Sequence, residues 1–431
     1  MTKILTFVTA ILLFISCKAQ NTGSLIQQQE IERIVRTLSA DDMQGRAAFT
    51  LGAEKAASFI EEEFQKIGLK PLTGEESLRQ TFFKTFVKPE SAVLLINGKT
   101  ISNADFLVIS DEEKVSWNSG AEAEVLTIAA GDNFFGRYRD MVSQEKNYLV
   151  LVDASFKESF EQLRDYYGGG HVLEGGPSQG TVVFFLGLER PENFKLDFSN
   201  KIEKKPLFNI AGIIPGKSRP EELVIFSAHY DHIGILEAVK GDSIANGADD
   251  DASGVTAVIA LADYFKRLDT NERTLIFVTF TAEELGGYGS RYFSEKLDPE
   301  QVKAMFNIEM IGKVSKFGKD AAFITGFEKS DFGKILQKNL QGTKFRFYPD
   351  PYPEQNLFYR SDNASLAALG VPAHTISTDQ IDKDKYYHTV DDEFETLDTD
   401  NITSTIKAIA ISAGSIIAGK DTPTRIPKLE E

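Results

Sequence analysis

The apolar positions of this chain change period along its length. Between residues 24 and 78 they recur at helical spacing. Ile31, Ile34, Val35 and Leu38 form one stripe, and Ala56, Phe59, Ile60, Phe64 and Ile67 form a second that stops at Gly68. From 79 to 205 short apolar runs at 125–129, 148–152 and 182–186 alternate with glycine-rich breaks, with one helix expected near 156–167. Asn97-Gly98, set between apolar runs, predicts a tight hairpin, because both central residues of that turn need positive φ. From 206 to 420 strand-like runs at 210–214, 223–227, 275–280, 304–308, 321–324 and 373–376 alternate with helical patterns at 253–268 and 331–341, and a helix spaced Ile402, Ile406, Ile409, Ala413, Ile416 closes the region. Continuous runs of Val, Ile and Phe separated by helices predict an α/β architecture whose sheet is buried on both faces. The expected fold is a three-layer sandwich around a mixed, mainly parallel central sheet. Residues 24–78 would be its N-terminal helical part, 79–205 a small β-rich insert, 206–420 the main domain, and 421–431, with Pro423 and Pro427, a loose tail.

Composition narrows the classes. At 431 residues, 42% hydrophobic and 11% aromatic, the chain can bury a sizeable core as one large domain or two ordinary ones. A net charge of -17 argues against a nucleic-acid surface and against holding anionic lipid by charge. Cys17 is the sole cysteine, so there is no disulfide framework and no thiolate metal site. It closes a segment with Lys3, an apolar run from 4 to 15, and Ser16, too short for a comfortable membrane span. That order resembles a bacterial lipoprotein signal, with Phe14 where such signals usually carry Leu; the alternative is an ordinary cleaved secretion signal. Either way residues 1–17 stand outside the fold. The expected location is a bacterial cell envelope, facing the periplasm or exterior, with membrane attachment only through lipid on Cys17.

Chemistry concentrates in motifs placed where strands end. Ala228-His229-Tyr230-Asp231-His232 follows the run 223–227, Thr281-Ala282-Glu283-Glu284-Leu285-Gly286 follows 275–280, and Glu309-Met310 follows 304–308. Gly247-Ala248-Asp249-Asp250-Asp251-Ala252-Ser253-Gly254 precedes a helix, and Tyr386-Tyr387-His388-Thr389 comes later. In α/β sheets, ligand groups gather at such strand ends. Three carboxylates crowded into one turn repel each other, and no Lys or Arg within the turn relieves them, so a cation from outside the chain would. Imidazole nitrogens and carboxylate oxygens in this proportion suit Zn2+.

In this order the motifs resemble the co-catalytic di-zinc exopeptidases, among them bacterial leucyl aminopeptidase, aminopeptidase Y and the glutamate carboxypeptidases. The resemblance covers 206–420, and Leu38-Ser39-Ala40-Asp41-Asp42-Met43-Gln44-Gly45-Arg46 with its following helix resembles that family's first segment. The insert sits where some members carry a protease-associated domain. The resemblance implies two Zn2+ per chain and a peptide substrate. Asp250 would bridge the ions, His229 and Glu309 would complete one, and Glu284 and His388 the other, although spacing alone does not fix that pairing. It also implies a cis peptide after Asp250. Glu283 would be the general base, taking a proton from the water between the metals and passing it to the leaving amine. Asp231 would accept the other imidazole N–H of His229 and fix its tautomer. Tyr387 or Tyr359 would hydrogen-bond the developing oxyanion. Glu309 stands where many aminopeptidases of the family have Asp, and Asn363 where the loop Arg360-Ser361-Asp362-Asn363 often has His. His232 reads as a supporting or strand-end residue, His374 as a core histidine, and Asp249 and Asp251 as turn and helix-cap acids.

The leading expectation is therefore a zinc aminopeptidase acting on short peptides. A carboxypeptidase or dipeptidase with the same metal centre would need an Arg clamp, for which Arg360 is available. A glutaminyl cyclase would keep the fold with a single zinc, and a non-catalytic relative would have shed donors; the five donor positions present here speak against both.

Overall fold

The computed structural model describes residues 25–118, 122–173 and 180–429. The signal-like segment ending at Cys17 lies outside them. The described residues divide into a larger unit, up to Gln80 and from Phe208 onward, and a smaller one, Thr81–Leu207.

In the larger unit the central strands run in the order Arg346–Pro349, Ala321–Ile324, Ala373–Ser377, Val302–Ile308, Arg219–His229, Arg273–Phe280, and then the end of Phe194–Ile214. The pairs from Ala373–Ser377 through Arg273–Phe280 are parallel, and the pairings of Ala321–Ile324 with Ala373–Ser377 and of Arg273–Phe280 with Phe194–Ile214 are antiparallel. The sheet is mixed and mainly parallel, as expected. Its strands carry apolar side chains on both faces because each face meets helices. Leu275 and Phe277 join a core with Phe226, Phe306 and the helices Gln28–Leu38, Leu51–Ile67, Gly254–Leu268 and Thr399–Ser412. Ile276, Val278 and Phe280 point the other way, toward Phe293 of Tyr288–Glu295 and Leu366 of Asn363–Ala368. On the first face the Phe226 ring stacks between Phe277 and Phe306, with centroids 5.4 and 4.8 Å away. Helix Leu51–Ile67 starts at Thr50, whose side chain accepts from the Ala53 amide, and stops at Gly68 in the left-handed region, as the sequence predicts.

The tail differs from expectation. Rather than lying loose, Ile426 is buried in the second core, Arg425 donates to the carbonyls of Pro299 and Val302, and Asp331 and Thr424 bond each other. Pro423 and Pro427 keep the segment out of regular elements, but side-chain packing holds it without one.

In the smaller unit the turn at Asn97-Gly98 has φ of 51° and 77° and joins Arg79–Ile96 to Lys99–Thr100. A separate sheet runs Phe106–Ile109, Val182–Leu186, Tyr148–Val152, Glu124–Ile128, with its last two pairings parallel. Besides the expected helix, found at Lys157–Gly169, a second spans Phe134–Val142. The sequence carries its signal in Asn133, which caps the Gly136 amide at 3.0 Å.

No helix among the described residues is long and apolar enough to cross a membrane.

Candidate metal centre

Parallel strands deliver the donors to one end of the sheet. His229 is the last residue of Arg219–His229, Glu283 and Glu284 follow Arg273–Phe280 after two residues, and Glu309 follows Val302–Ile308 directly. Opposite them the turn Ala248–Ser253 presents Asp250 at the start of helix Gly254–Leu268. The peptide between Asp250 and Asp251 is cis. Asp251 ties the turn to two strand ends: Oδ1 accepts from the amides of Gly254 (3.0 Å) and Met310 (3.1 Å), and Oδ2 from that of His229 (3.3 Å). Asp249 likewise accepts from Ser253 and Gly312. Ala282, Met310 and His388 hold φ of 56°, 51° and 57°, an uncommon setting for residues with side chains; His388 is a donor, Met310 adjoins the donor Glu309, and Ala282 adjoins Glu283.

The donors converge in two sets that share Asp250. One ligand atom each from His229, Asp250 and Glu309 lie within 4.8 Å of one another, and so do those from His232, Asp250, Glu284 and His388. His229 Nε2 is 3.2 Å from Asp250 Oδ1, while His388 Nε2 is 3.3 Å from Asp250 Oδ2 and 3.2 Å from Glu284 Oε2. Buried and without hydrogen-bond partners are Nε2 of His229, His232 and His388 and Oε2 of Glu309. Buried polar atoms are rarely left this way, and those of His229, His388 and Glu309 belong to residues gathered in one cluster of imidazoles and carboxylates, the donor chemistry that suits Zn2+.

The electrostatics agree. Burial works against charge on Asp250, yet the adjacent imidazoles of His229, His232 and His388 hold its carboxyl well below the usual range. Burial likewise lowers His388, but Asp250 and Glu284 outweigh it and push the imidazole up to about 10. Glu283 is driven well above the ordinary carboxylate range, chiefly by burial and further by Glu309 and Asp362. Two adjacent glutamates are thus pushed apart, since Glu284, between two imidazoles, is held below its usual value despite burial.

The structure corrects the reading of Asp231. Its carboxylate does not meet the His229 ring. His229 Nδ1 faces the Asp231 main-chain carbonyl at 3.0 Å, and the Asp231 carboxylate instead accepts the amides of Glu283 (3.1 Å) and Glu284 (3.3 Å). Two residues of separation place an acid near a ring but do not say which of its oxygens turns inward. His232, read as a supporting residue, bonds Glu284 through Nδ1 at 2.9 Å and belongs to the second set. Tyr387 stacks on the His388 ring at 3.9 Å and lines the cleft. Tyr359 does not line it and packs edge-on against Phe358. His374 is a core residue as expected, bonded to Ser330 and to the Thr325 carbonyl.

Two residues with no assigned role prove central. Arg46 is almost fully buried, and its guanidinium collects the carbonyls of Leu38 (2.7 Å), Tyr230 (2.8 Å), Asn246 (2.5 Å) and Gly247 (2.9 Å). Preceding it, Gly45 has φ of 63°, and a Cβ there would lie 2.5 Å from the Gly234 carbonyl oxygen. Lys313 reaches the acid-rich turn from outside it, with Nζ 3.4 Å from Asp249 and 2.8 Å from Asp384.

A cleft open to solvent fronts the donors, walled by Met310, Phe323, Leu357 and Ile381 and by the polar Thr375 and Asp379.

Comparison with known proteins bears on this geometry. Residues 209–412, which hold all five expected donors, match the model of peptidase family M28. The chain is 29% identical over 218 residues to a probable leucine aminopeptidase of Arthroderma otae, an alignment covering 48% of this chain and 55% of that protein. It is 27% identical over 271 residues to a probable aminopeptidase of Saccharomyces cerevisiae, covering 58% and 69%. The chain thus spans about half the length of the first of these relatives. In fold it is similar to an aminopeptidase from Aneurinibacillus sp. strain AM-1 (TM-score 0.54, 17% identity, covering 95% and 97%) and to a zinc aminopeptidase from Bacillus subtilis (TM-score 0.56, 16% identity, covering 94% and 99%).

Proposed function

We propose that this chain, whose residues 209–412 match peptidase family M28, is a zinc-dependent aminopeptidase of that family that removes N-terminal residues from short peptides. The observation that carries the reading is the convergence of His229, Asp250, Glu284, Glu309 and His388 on one cleft, with Asp250 common to two donor sets. Two zinc ions held by these residues would polarise the scissile carbonyl and make water acidic enough to attack it near neutral pH. Glu283, in the same cleft, takes a proton from the attacking water and delivers it to the departing amine nitrogen. Asp231 fixes both glutamates by their amides, and Tyr387 lies where its hydroxyl can steady the oxygen that gains charge.

The test compares a free dipeptide with its N-acetylated form on zinc-loaded protein, before and after chelation. Hydrolysis of the free form alone, lost with chelator and restored by zinc, is expected. Arg360, exposed at the cleft, favours a second reading as a carboxypeptidase or dipeptidase. Equal cleavage of the acetylated peptide would replace the first reading with that one.

The order of residues 1–17 supports attachment of lipid at Cys17 in a bacterial envelope. Cells fed a labelled fatty acid should mark the wild type and not Cys17→Ser; an unlabelled wild type would remove the anchor.

A further inference from the structure

We infer that Asp379 makes the cleft beside the metal donors a subsite for a cationic side chain, so that the preferred N-terminal residue is lysine or arginine. This rests on the aminopeptidase reading and names its substrate class. Asp249, Asp384 and Asp392 gather around the Lys313 ammonium, and Asp379 lies beside Asp249 and Asp384 without an ion pair to it. The Lys313 Nζ lies 2.8 Å from Asp384, 3.4 Å from Asp249 and 3.7 Å from Asp392. Each of these three also accepts a main-chain amide: Asp249 from Gly312, Asp384 from Tyr386, and Asp392 from Asp249 and Asp250. Asp379 has no such support. It is 3% exposed, and neither carboxylate oxygen has a hydrogen-bond partner. The Gln380 amide acts on it only weakly. Burial, reinforced by Asp249 and Asp384, pushes its carboxyl up to about 8.

A buried carboxylate in this position is costly until a cation reaches it. Oxygens of Asp249, Asp379 and Asp384 lie within 4.8 Å of one another, as a bound metal would require. However, Lys313 is ion-paired with two of the three and reaches Asp379 only at longer range, leaving Asp379 as the acid without a cation in contact. The direction of supply is set by the cleft, which Asp379 lines together with Glu283, Glu309 and His388. Phe323 and Ile381 on the same wall offer apolar surface to an aliphatic stem, and the charged head of such a stem would meet Asp379.

The experiment measures kcat/KM of the zinc-loaded enzyme on 4-nitroanilides of lysine, arginine, leucine and norleucine, the last matching the lysine stem without its charge. Lysine and arginine should exceed norleucine by about 100-fold, the scale of one buried charge pair. In Asp379→Asn the lysine-to-norleucine ratio should fall toward one. A wild-type ratio near one overturns the inference without needing any variant to fold. An unchanged ratio in Asp379→Asn also overturns it, as does an equal loss on both substrates, which would make Asp379 a clamp for the α-amine. Failure to cleave any of the four would instead sink the aminopeptidase reading itself.

Discussion

Asp231 gives its carboxylate to two successive amides, those of Glu283 and Glu284, and its carbonyl to the ring of His229. One residue therefore aligns the proposed base, a proposed metal donor and the tautomer of another. In Asp231→Asn one oxygen becomes an NH2 group that faces an amide N–H, so the loop 281–287 loses an anchor while the carbonyl contact to His229 survives. We expect kcat to fall about 10- to 100-fold with weaker zinc affinity, the usual effect of losing a partner that orients metal ligands. Steady-state rates and a zinc competition assay check this, and an unchanged pair of values would leave Asp231 as a turn acid. The donors were readable in the sequence because each lies in a short motif whose residue types have few other reasons to occur together. Asp379, Lys313 and Arg46 were not readable as a site. Their roles depend on neighbours brought together by the fold, and a lone Asp or Lys carries no pattern of its own.

The helix Gly254–Leu268 begins so close to the strand Val302–Ile308 that a Cβ on Gly254 would lie 2.2 Å from the Ile308 carbonyl oxygen and 2.4 Å from Asp251 Oδ1. That approach lets Asp251 bind the helix start and both strand ends at once. Gly254→Ala should destabilise the protein by about 1–3 kcal/mol through overpacking and loosen the turn that carries Asp250. Gly414→Ala, with nothing within 4 Å of its Cβ, is the control and should be neutral or slightly stabilising. Denaturant midpoints decide between them, and equal midpoints for the two variants would mean that the helix can shift to make room. Most elements of this unit were visible as runs of one period. Helix Phe134–Val142 of the smaller unit was not, because only Phe134 and Met141 of it are buried, too few for a stripe.

Across the larger unit, continuous apolar runs in strands such as Arg273–Phe280 told that two faces are covered, and two cores lie on them. Strand order was beyond local pattern. The placement of Ala373–Ser377 between Val302–Ile308 and Ala321–Ile324 depends on crossovers over distant segments, and the tail is held by single side chains rather than by a repeat. The net charge of -17 is concentrated in part at the metal donors, where acids are buried that positive ions would have to balance. The arginine at position 46 has a practical corollary. It arrives from far upstream of the stretch that matches the family, yet it gathers four carbonyls around the turn that presents Asp250. A polypeptide trimmed to that stretch would strip the carbonyls of Tyr230, Asn246 and Gly247 of the guanidinium that ties them together, so the donor cluster cannot be excised as a self-sufficient cassette.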